Sequence, residues 1–403
     1  MKSKEGTRPG ALKIGSLWQP FLNFSRIEAS AGILLFLAAC FALIWANSPW
    51  SESYRGFKEW SLGWAALGLP AEFPMEKFVN DVLMAIFFLL VGMEIKREML
   101  SGELASFRKS ALPVLGALGG MLVPAAIYAA LNHGLSSSRG WGIPMATDIA
   151  FALSVLLLLG KNIPTGVKVF LVALAIIDDL GAILVIAVFY TGDLNFTAMA
   201  VAAVFVLALV GLNRMGEQRA SPYLILGVGL WMALYRSGVH STVSGVLLAL
   251  CIPNRSTDSR LPLLPRLEAR IHPYVAFGIL PLFGLVNAGV ALSGGSTHWL
   301  GQPLGLGILA GLVLGKPAGI LLFSWLAVKL GIGALPSGVN WKQMTGAGIL
   351  GGIGFTMSLF IAGLGFPDAH YLDGAKLSVL CASLVSGTVG FAYLRILGRL
   401  KSG

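Results

Sequence analysis

The chain has 403 residues, 56% hydrophobic and only 12% charged. A soluble domain carries about 25% charged residues, so an ordinary globular protein is excluded. Helix-length apolar runs recur throughout, whereas a β-barrel would show short alternating segments. The formal net charge of +10 would suit a nucleic-acid surface, but its distribution argues otherwise. Lys96, Arg97, Lys168, Arg214, Arg219, Arg266, Arg270, Lys329, Lys342, Arg395 and Arg399 fall in alternate connections, on the side shared with the basic N-terminus. Only Arg55, Lys58, Lys77, Arg139, Arg236 and Lys376 fall on the other side. That asymmetry orients a membrane protein with the basic side cytoplasmic; it is not a nucleic-acid patch.

In chain order, residues 1–28 form a basic, non-periodic cytoplasmic tail. A single transmembrane domain, 29–398, follows, with 399–403 as a cytoplasmic C-terminal tail. Apolar runs bounded by charge, Gly or Pro predict twelve helical spans. They lie near 29–47, 77–100, 111–131, 142–160, 167–190, 196–213, 222–235, 239–252, 272–292, 304–328, 344–366 and 375–398. The segment Leu37-Ala38-Ala39-Cys40 mimics a lipoprotein cleavage box, but the apolar run continues past it. The outer connection 48–76 carries Trp50, Tyr54, Phe57, Trp60 and Trp64, an interfacial composition. Cys40, Cys251 and Cys381 are far apart, with no metal-like spacing, and read as small core residues.

Two spans are poor helices. Residues 141–151 (WGIPMATDIAF) combine Gly, Pro, Thr and Asp, and residues 346–360 (GAGILGGIGFTMSLF) contain five glycines. Gly costs about 1 kcal/mol and Pro about 3 kcal/mol in a helix interior. Paired interruptions in corresponding halves point to a transporter site. Leu115-Gly116-Ala117-Leu118-Gly119-Gly120 before the first break parallels Leu306-Gly307-Ile308-Leu309-Ala310-Gly311 before the second. The parallel makes 111–190 and 304–398 candidate copies of a repeat.

The decisive residues are Asp178 and Asp179, adjacent within an apolar run. A charge near a bilayer centre costs roughly 2.5–3.5 kcal/mol on insertion scales, and such residues are functional by default. The two project about 100° apart on a helix, so one faces a cavity while the other faces a neighbour. Lys316 lies mid-span and needs one of them as counter-charge. Na+ and Li+ are hard cations that take oxygen ligands, and they would compete with protons for the same carboxylates. If the cation also breaks the Asp–Lys pair, lysine can release a proton, so more than one proton can move per cation. Asp148 sits where facing half-helix N-termini would need a negative charge, Lys316 where C-termini would need a positive one. Thr147 offers a hydroxyl oxygen to the cation, or a bond back to its own helix.

Ala146-Thr147-Asp148-Ile149-Ala150-Phe151, Ile176-Ile177-Asp178-Asp179-Leu180, Leu314-Gly315-Lys316-Pro317 and Gly354-Phe355-Thr356-Met357-Ser358 resemble signature segments of the NhaA family of bacterial sodium/proton antiporters. Residues 87–98 (FFLLVGMEIKRE) and Ser237-Gly238-Val239-His240 do so as well. The resemblance runs in order from about residue 20 to 400. It implies an all-helical polytopic fold of about twelve spans, with an inverted repeat and two broken, crossing helices near 142–160 and 344–366. It also implies electrogenic exchange of Na+ or Li+ for H+ across the bacterial inner membrane, for sodium extrusion and pH homeostasis, without a cofactor. By resemblance, Asp179 is the main cation and proton carboxylate and Asp178 its partner, paired with Lys316 when the cation is absent. Thr147 assists binding and Asp148 balances the crossing. Glu94, Arg97, Glu98, Glu268 and His240 correspond to a cytoplasmic cluster associated with activation at alkaline pH. Residues 94–98 read equally as a solvated helix end with local ion pairs. The resemblance further implies a homodimer through 48–76.

Two other classes compete. A sodium-coupled symporter for an organic anion would need a further buried cation beside Lys316. An intramembrane aspartyl protease would need two carboxylates facing each other and sharing a proton. A Walker-type loop is absent from the sequence, which counts against an ATP-driven pump.

Overall fold

Leu, Val, Ile, Phe and Ala runs form helices throughout the computed structural model, which describes residues 19–61, 73–102, 105–160, 163–255, 261–292 and 296–399. The basic tail before residue 19, Trp64 and residues 400–403 lie outside the described residues. The helices are α1 Gln19–Ala46, α2 Ser51–Glu59, α3 Met75–Ser101, α4 Phe107–Leu131, α5 Ile149–Leu158, α6 Thr165–Phe189 and α7 Phe196–Arg214. They continue as α8 Ala220–Tyr235, α9 Val243–Cys251, α10 Leu263–Asn287, α11 Pro303–Lys329, α12 Trp341–Gly351, α13 Phe355–Gly365 and α14 Ala369–Arg399. The described residues contain no strand, only an isolated bridge between Ser61 and Pro74.

Among the described residues, seven helices are long and apolar enough to cross a membrane, and up to ten spans result if three bent pairs each count as one. The pairs are α1 with α2, bent by 116°, the segment Ser136–Met145 with α5, bent by 45°, and α12 with α13, bent by 41°. The chain is therefore a multi-pass membrane protein. The expected spans 222–235 and 239–252 correspond to α8, of 16 residues, and α9, of only nine.

Three helices begin well before their expected starts. α1 starts at Gln19 rather than near 29, so the last ten residues of the expected 1–28 tail are helical. α10 starts at Leu263 rather than near 272, because Glu268 and His272 are buried among its first turns instead of lying in a solvated connection. α14 starts at Ala369 rather than near 375, and Lys376, which the charge count places in the outer connections, is buried within it. Its ammonium lies 3.7 Å from Glu76 Oε1, which also takes Lys58 at 3.1 Å. The partner explains the burial, because a lysine is rarely enclosed without one.

α4 and α11 set the centre of the molecule. A Cβ on Gly119 would collide with the carbonyl oxygen of Gly319, and one on Gly319 with that of Gly119. Small residues let backbones approach in this way where lipid supplies no hydrophobic drive between helices. Within α11 the turn Gly311–Gly315 widens to a π-helix just before Pro317. Proline supplies no N–H and its ring crowds the preceding turn, so the ordinary hydrogen-bond ladder cannot run through it. That bulge delivers Lys316 to the interior. Gly119→Val is expected to force α4 and α11 apart and cost about 1–3 kcal/mol, the usual range for overpacking. A lowered unfolding temperature in detergent would report it.

At one end of the bundle α2 folds back from α1. Tyr54 is buried, and its hydroxyl lies 2.9 Å from the Leu285 carbonyl and 3.0 Å from that of Val286, donating its one proton to either, while Trp45 packs on both Tyr54 and Phe57. Trp50 and Trp60 remain exposed, as aromatics at a membrane boundary commonly do.

Candidate ion-binding site

The two interrupted segments meet each other in the interior. The first runs as a ten-residue 3-10 helix, Ser136–Met145, far longer than the three or four residues that geometry usually sustains. It then opens to extended backbone at Ala146 (φ −84°, ψ 149°) and Asp148 (φ −89°, ψ 103°) before α5 begins. The second opens between Gly351 and Phe355. Gly354 is required there, since a Cβ would lie 3.0 Å from the Ala146 carbonyl oxygen and closer still to Ser358 Oγ.

The side chains at the breaks satisfy the exposed helix ends. Asp148 Oδ1 accepts from the Phe151 N–H in the first turn of α5, and its Oδ2 accepts from the Thr356 N–H in the first turn of α13, each at 3.0 Å. One carboxylate thus caps two half-helix N-termini, where its charge also suits the helix dipoles. The Asp148 N–H donates to the Ile353 carbonyl at 2.6 Å. Lys316 donates to the Met145 carbonyl at the C-terminal end of the 3-10 segment, a cation against a negative helix end. Ser358 Oγ donates to the Ile143 carbonyl at 2.6 Å. Asp148→Ala removes both caps at once. At about 1 kcal/mol per cap, a loss of roughly 2 kcal/mol is expected, readable as a lower unfolding temperature, with Asp148→Asn closer to the parent.

α6 carries the paired carboxylates into this meeting point, and both Asp178 and Asp179 are buried. Lys316 Nζ lies 2.8 Å from Asp178 Oδ2, and neither side chain has any solvent exposure. Thr147 Oγ1 lies 2.6 Å from the same Asp178 oxygen and 2.9 Å from the Gly351 carbonyl. One hydroxyl proton serves only one of these at a time. The Asp178 carboxylate, the Thr147 hydroxyl and the Gly351 carbonyl therefore form a cluster of hard oxygens of the kind an alkali cation takes.

Asp178 Oδ1 and Asp179 Oδ1 are both buried with no hydrogen-bond partner. Such atoms are uncommon, and each needs an explanation. Asp178, Asp179, Thr147, Asp148 and Lys316 are thus brought together around the two breaks. The carbonyls of Met145, Gly351 and Ile353 complete the arrangement. Sequence reasoning did not single them out, because a backbone oxygen has no residue signature beyond the break that exposes it.

The residues grouped with pH activation divide. Arg97 pairs with Glu268, lies 3.2 Å from Glu98 Oε1, and is close enough to Glu94 to attract it. Glu94 and Glu268 are buried, and Glu268 Oε2 has no hydrogen-bond partner. His240 does not join them. Its Nε2 lies 3.6 Å from Asp81 Oδ1, and its Nδ1 meets Thr242 Oγ1 at 2.8 Å. Asp81 sits in the π-helical turn Phe78–Leu83 of α3, thirteen positions before Glu94. At about 1.5 Å per residue, the two groups are roughly 20 Å apart. The separation follows from the chain itself: His240 precedes α9 on the side of Arg236, opposite Glu268.

The family model described as Na+/H+ antiporter 1 matches residues 22–394. The chain is similar to the Na+/H+ antiporter NhaA of Oleidesulfovibrio alaskensis, at 46% identity over 97% of each chain. It is similar to that of Shewanella putrefaciens at 48%, over 92% of this chain and 96% of the relative. It also resembles the Escherichia coli (strain UTI89) protein of the same name, at 49% over 93% and 97%. With a matched region that spans nearly all the described helices and the whole set of residues around the breaks, the chain belongs to the Na+/H+ antiporter 1 family.

Proposed function

We propose that the chain exchanges Na+ or Li+ for H+ across the bacterial inner membrane, at Asp178 and Asp179. The observation that carries this is the pair of buried, orphaned carboxylate oxygens beside a lysine-bound carboxylate, where two broken helices meet. Lys316 satisfies Asp178 while no cation is present. An entering cation takes the carboxylate oxygens, with Thr147 Oγ1 beside them, and displaces the ammonium. Lysine then loses the charge that held its proton. Protons therefore leave from Asp179 and from Lys316, more than one per cation, which makes exchange electrogenic. Because proton and cation compete for the same oxygens, apparent cation affinity falls as pH falls. No cofactor enters the cycle.

The competing classes are less well served by this geometry. Lys316 is already committed to Asp178 and the Met145 carbonyl, which leaves it poorly placed to hold an organic anion. Asp178 and Asp179 are successive residues of one helix, so they do not form the facing dyad of an aspartyl protease.

The transmembrane domain extends over 29–398, with α8 and α9 completing twelve spans, both termini cytoplasmic, and 111–190 and 304–398 as inverted copies. In support, each copy opens on one of the two helices locked at Gly119 and Gly319, continues through a broken segment, and ends in a long helix. The segment 48–76 forms a homodimer contact, consistent with the exposed Trp50 and Trp60. Glu94, Arg97, Glu98 and Glu268 link activity to cytoplasmic pH, while His240 acts with Asp81 apart from them.

The direct test uses everted vesicles of an antiporter-deficient host, energised by respiration and followed with a pH-sensitive dye. NaCl and LiCl, but not KCl, are expected to dissipate the proton gradient; no response to sodium or lithium from pH 6.5 to 8.5 would refute the reading. In the same assay Glu268→Gln frees Arg97 from its buried partner. It is expected to move the pH of half-maximal exchange while leaving the Na+ over K+ selectivity intact. An unchanged pH profile would remove Glu268 from the activation cluster.

A further inference from the structure

A second feature lies on the lipid-facing side of the breaks. α1, α5 and α14 leave between them an apolar cavity of about 510 Å³, bordered by Phe36, Val155, Leu384 and Gly387 and, at the second break, by Ile353 and Phe355. Leu158 and Leu384 are respectively 66% and 62% exposed, so the cavity is a groove on the membrane face rather than an enclosed void. Along α14 it runs from Leu380 to Phe391. At about 1.5 Å per residue that is roughly 16 Å, close to half of a hydrocarbon core about 30 Å thick. The α5 wall tells the same story: it runs from Phe151, beside the break, to Leu158 at the end of the half-helix. The groove therefore reaches from mid-membrane to one surface.

At that end it adjoins a second cavity of about 350 Å³, which shares Leu158 and Phe391 with the first and is bordered by Arg395 and Arg399. The Arg395 guanidinium lies 5.7 Å from the centre of the Phe391 ring, at the junction of the two. An apolar channel one leaflet long that opens into a two-arginine pocket matches the two halves of one kind of molecule. Basic pockets between membrane helices on the cytoplasmic side suit anionic head groups. We infer that this face binds an anionic phospholipid, with one acyl chain along α14 against Ile353 and Phe355 and the phosphate between Arg395 and Arg399. A second copy of the protein fits less well, since the groove stops at mid-membrane and ends on cations.

The test is native mass spectrometry of the full-length chain in detergent, titrated with phosphatidylglycerol or phosphatidylcholine. Phosphatidylglycerol is expected to bind more tightly. Arg395→Gln with Arg399→Gln should weaken it about thirty-fold, from about five-fold (about 1 kcal/mol) per arginine near the surface, while phosphatidylcholine is unchanged. Gly387→Phe, whose Cβ would meet only Ile353 at ordinary contact distance, fills the groove and should weaken both lipids. Leu384→Trp, at an already exposed position, gives the same reading if Gly387→Phe fails to fold. Equal binding of the two lipids, or unchanged phosphatidylglycerol affinity in the arginine variant, overturns the head-group assignment. Unchanged affinity in a folded groove-filling variant overturns the acyl-chain assignment, as does loss of a dimer in its place. None of these readouts depends on ion exchange, so the inference stands or falls apart from the proposed activity.

Discussion

An Asp179→Asn chain is expected to insert and fold normally yet to show no Na+- or Li+-driven proton movement at any pH. Asp179 Oδ1 is buried without a hydrogen-bond partner, so the native fold does not depend on a bond at that atom. Removing the negative charge relieves the cost of holding it in a dry interior. Stability should therefore hold or rise while function disappears, the pattern expected of a group retained for what it binds. Dye recovery in energised vesicles measures exchange, and unfolding temperature in detergent measures the fold. Retained sodium response would sink the assignment of Asp179. A collapsed fold would instead show that the carboxylate is structural.

Lys316→Met is expected to have the largest effect on stability. The ammonium and the Asp178 carboxylate are both wholly enclosed, and removing one partner of such a pair typically costs 3–5 kcal/mol, because the other charge stays buried and unpaired. The loss is avoidable only if Asp178 takes up a proton, so the variant should be less impaired at low pH. Pairing Lys316→Met with Asp178→Asn should recover much of the loss, since replacing a buried ion pair entirely is often close to neutral. A double-mutant cycle of unfolding temperatures would show the coupling. Where exchange survives in Lys316→Met, it runs through the carboxylates alone and moves fewer protons per cation. Its rate should then lose sensitivity to an imposed membrane potential. Undiminished voltage dependence would remove lysine from the proton pathway.

The helices themselves were legible from local rules. Apolar length bounded by charge and proline gave most boundaries within a few residues, as at α6 and α7. Where α10 and α14 start early, a charged residue is buried against a partner from a distant helix: Glu268 against Arg97, and Lys376 near Glu76. A scan along the chain counts those residues as solvated because their partners lie more than a hundred positions away. The same reason governs His240. Its motif is local, but whether it stands with Glu94 or with Asp81 depends on which end of α3 it meets.

By itself, the sequence determined that this is a multi-pass helical membrane protein, that two of its segments are broken, and that Asp178, Asp179 and Lys316 are its costly residues. Those conclusions follow from composition and from the free energy of placing Gly, Pro and charge in an apolar helix. Only the tertiary structure decided that the two breaks meet, that one Asp148 carboxylate caps both half-helices, and that Lys316 chooses Asp178 over Asp179. It also revealed the carbonyls of Met145, Gly351 and Ile353 as partners. Backbone oxygens carry no side-chain identity, and which of them are freed, and toward what, is fixed by how α4 and α11 lock together across residues two hundred positions apart.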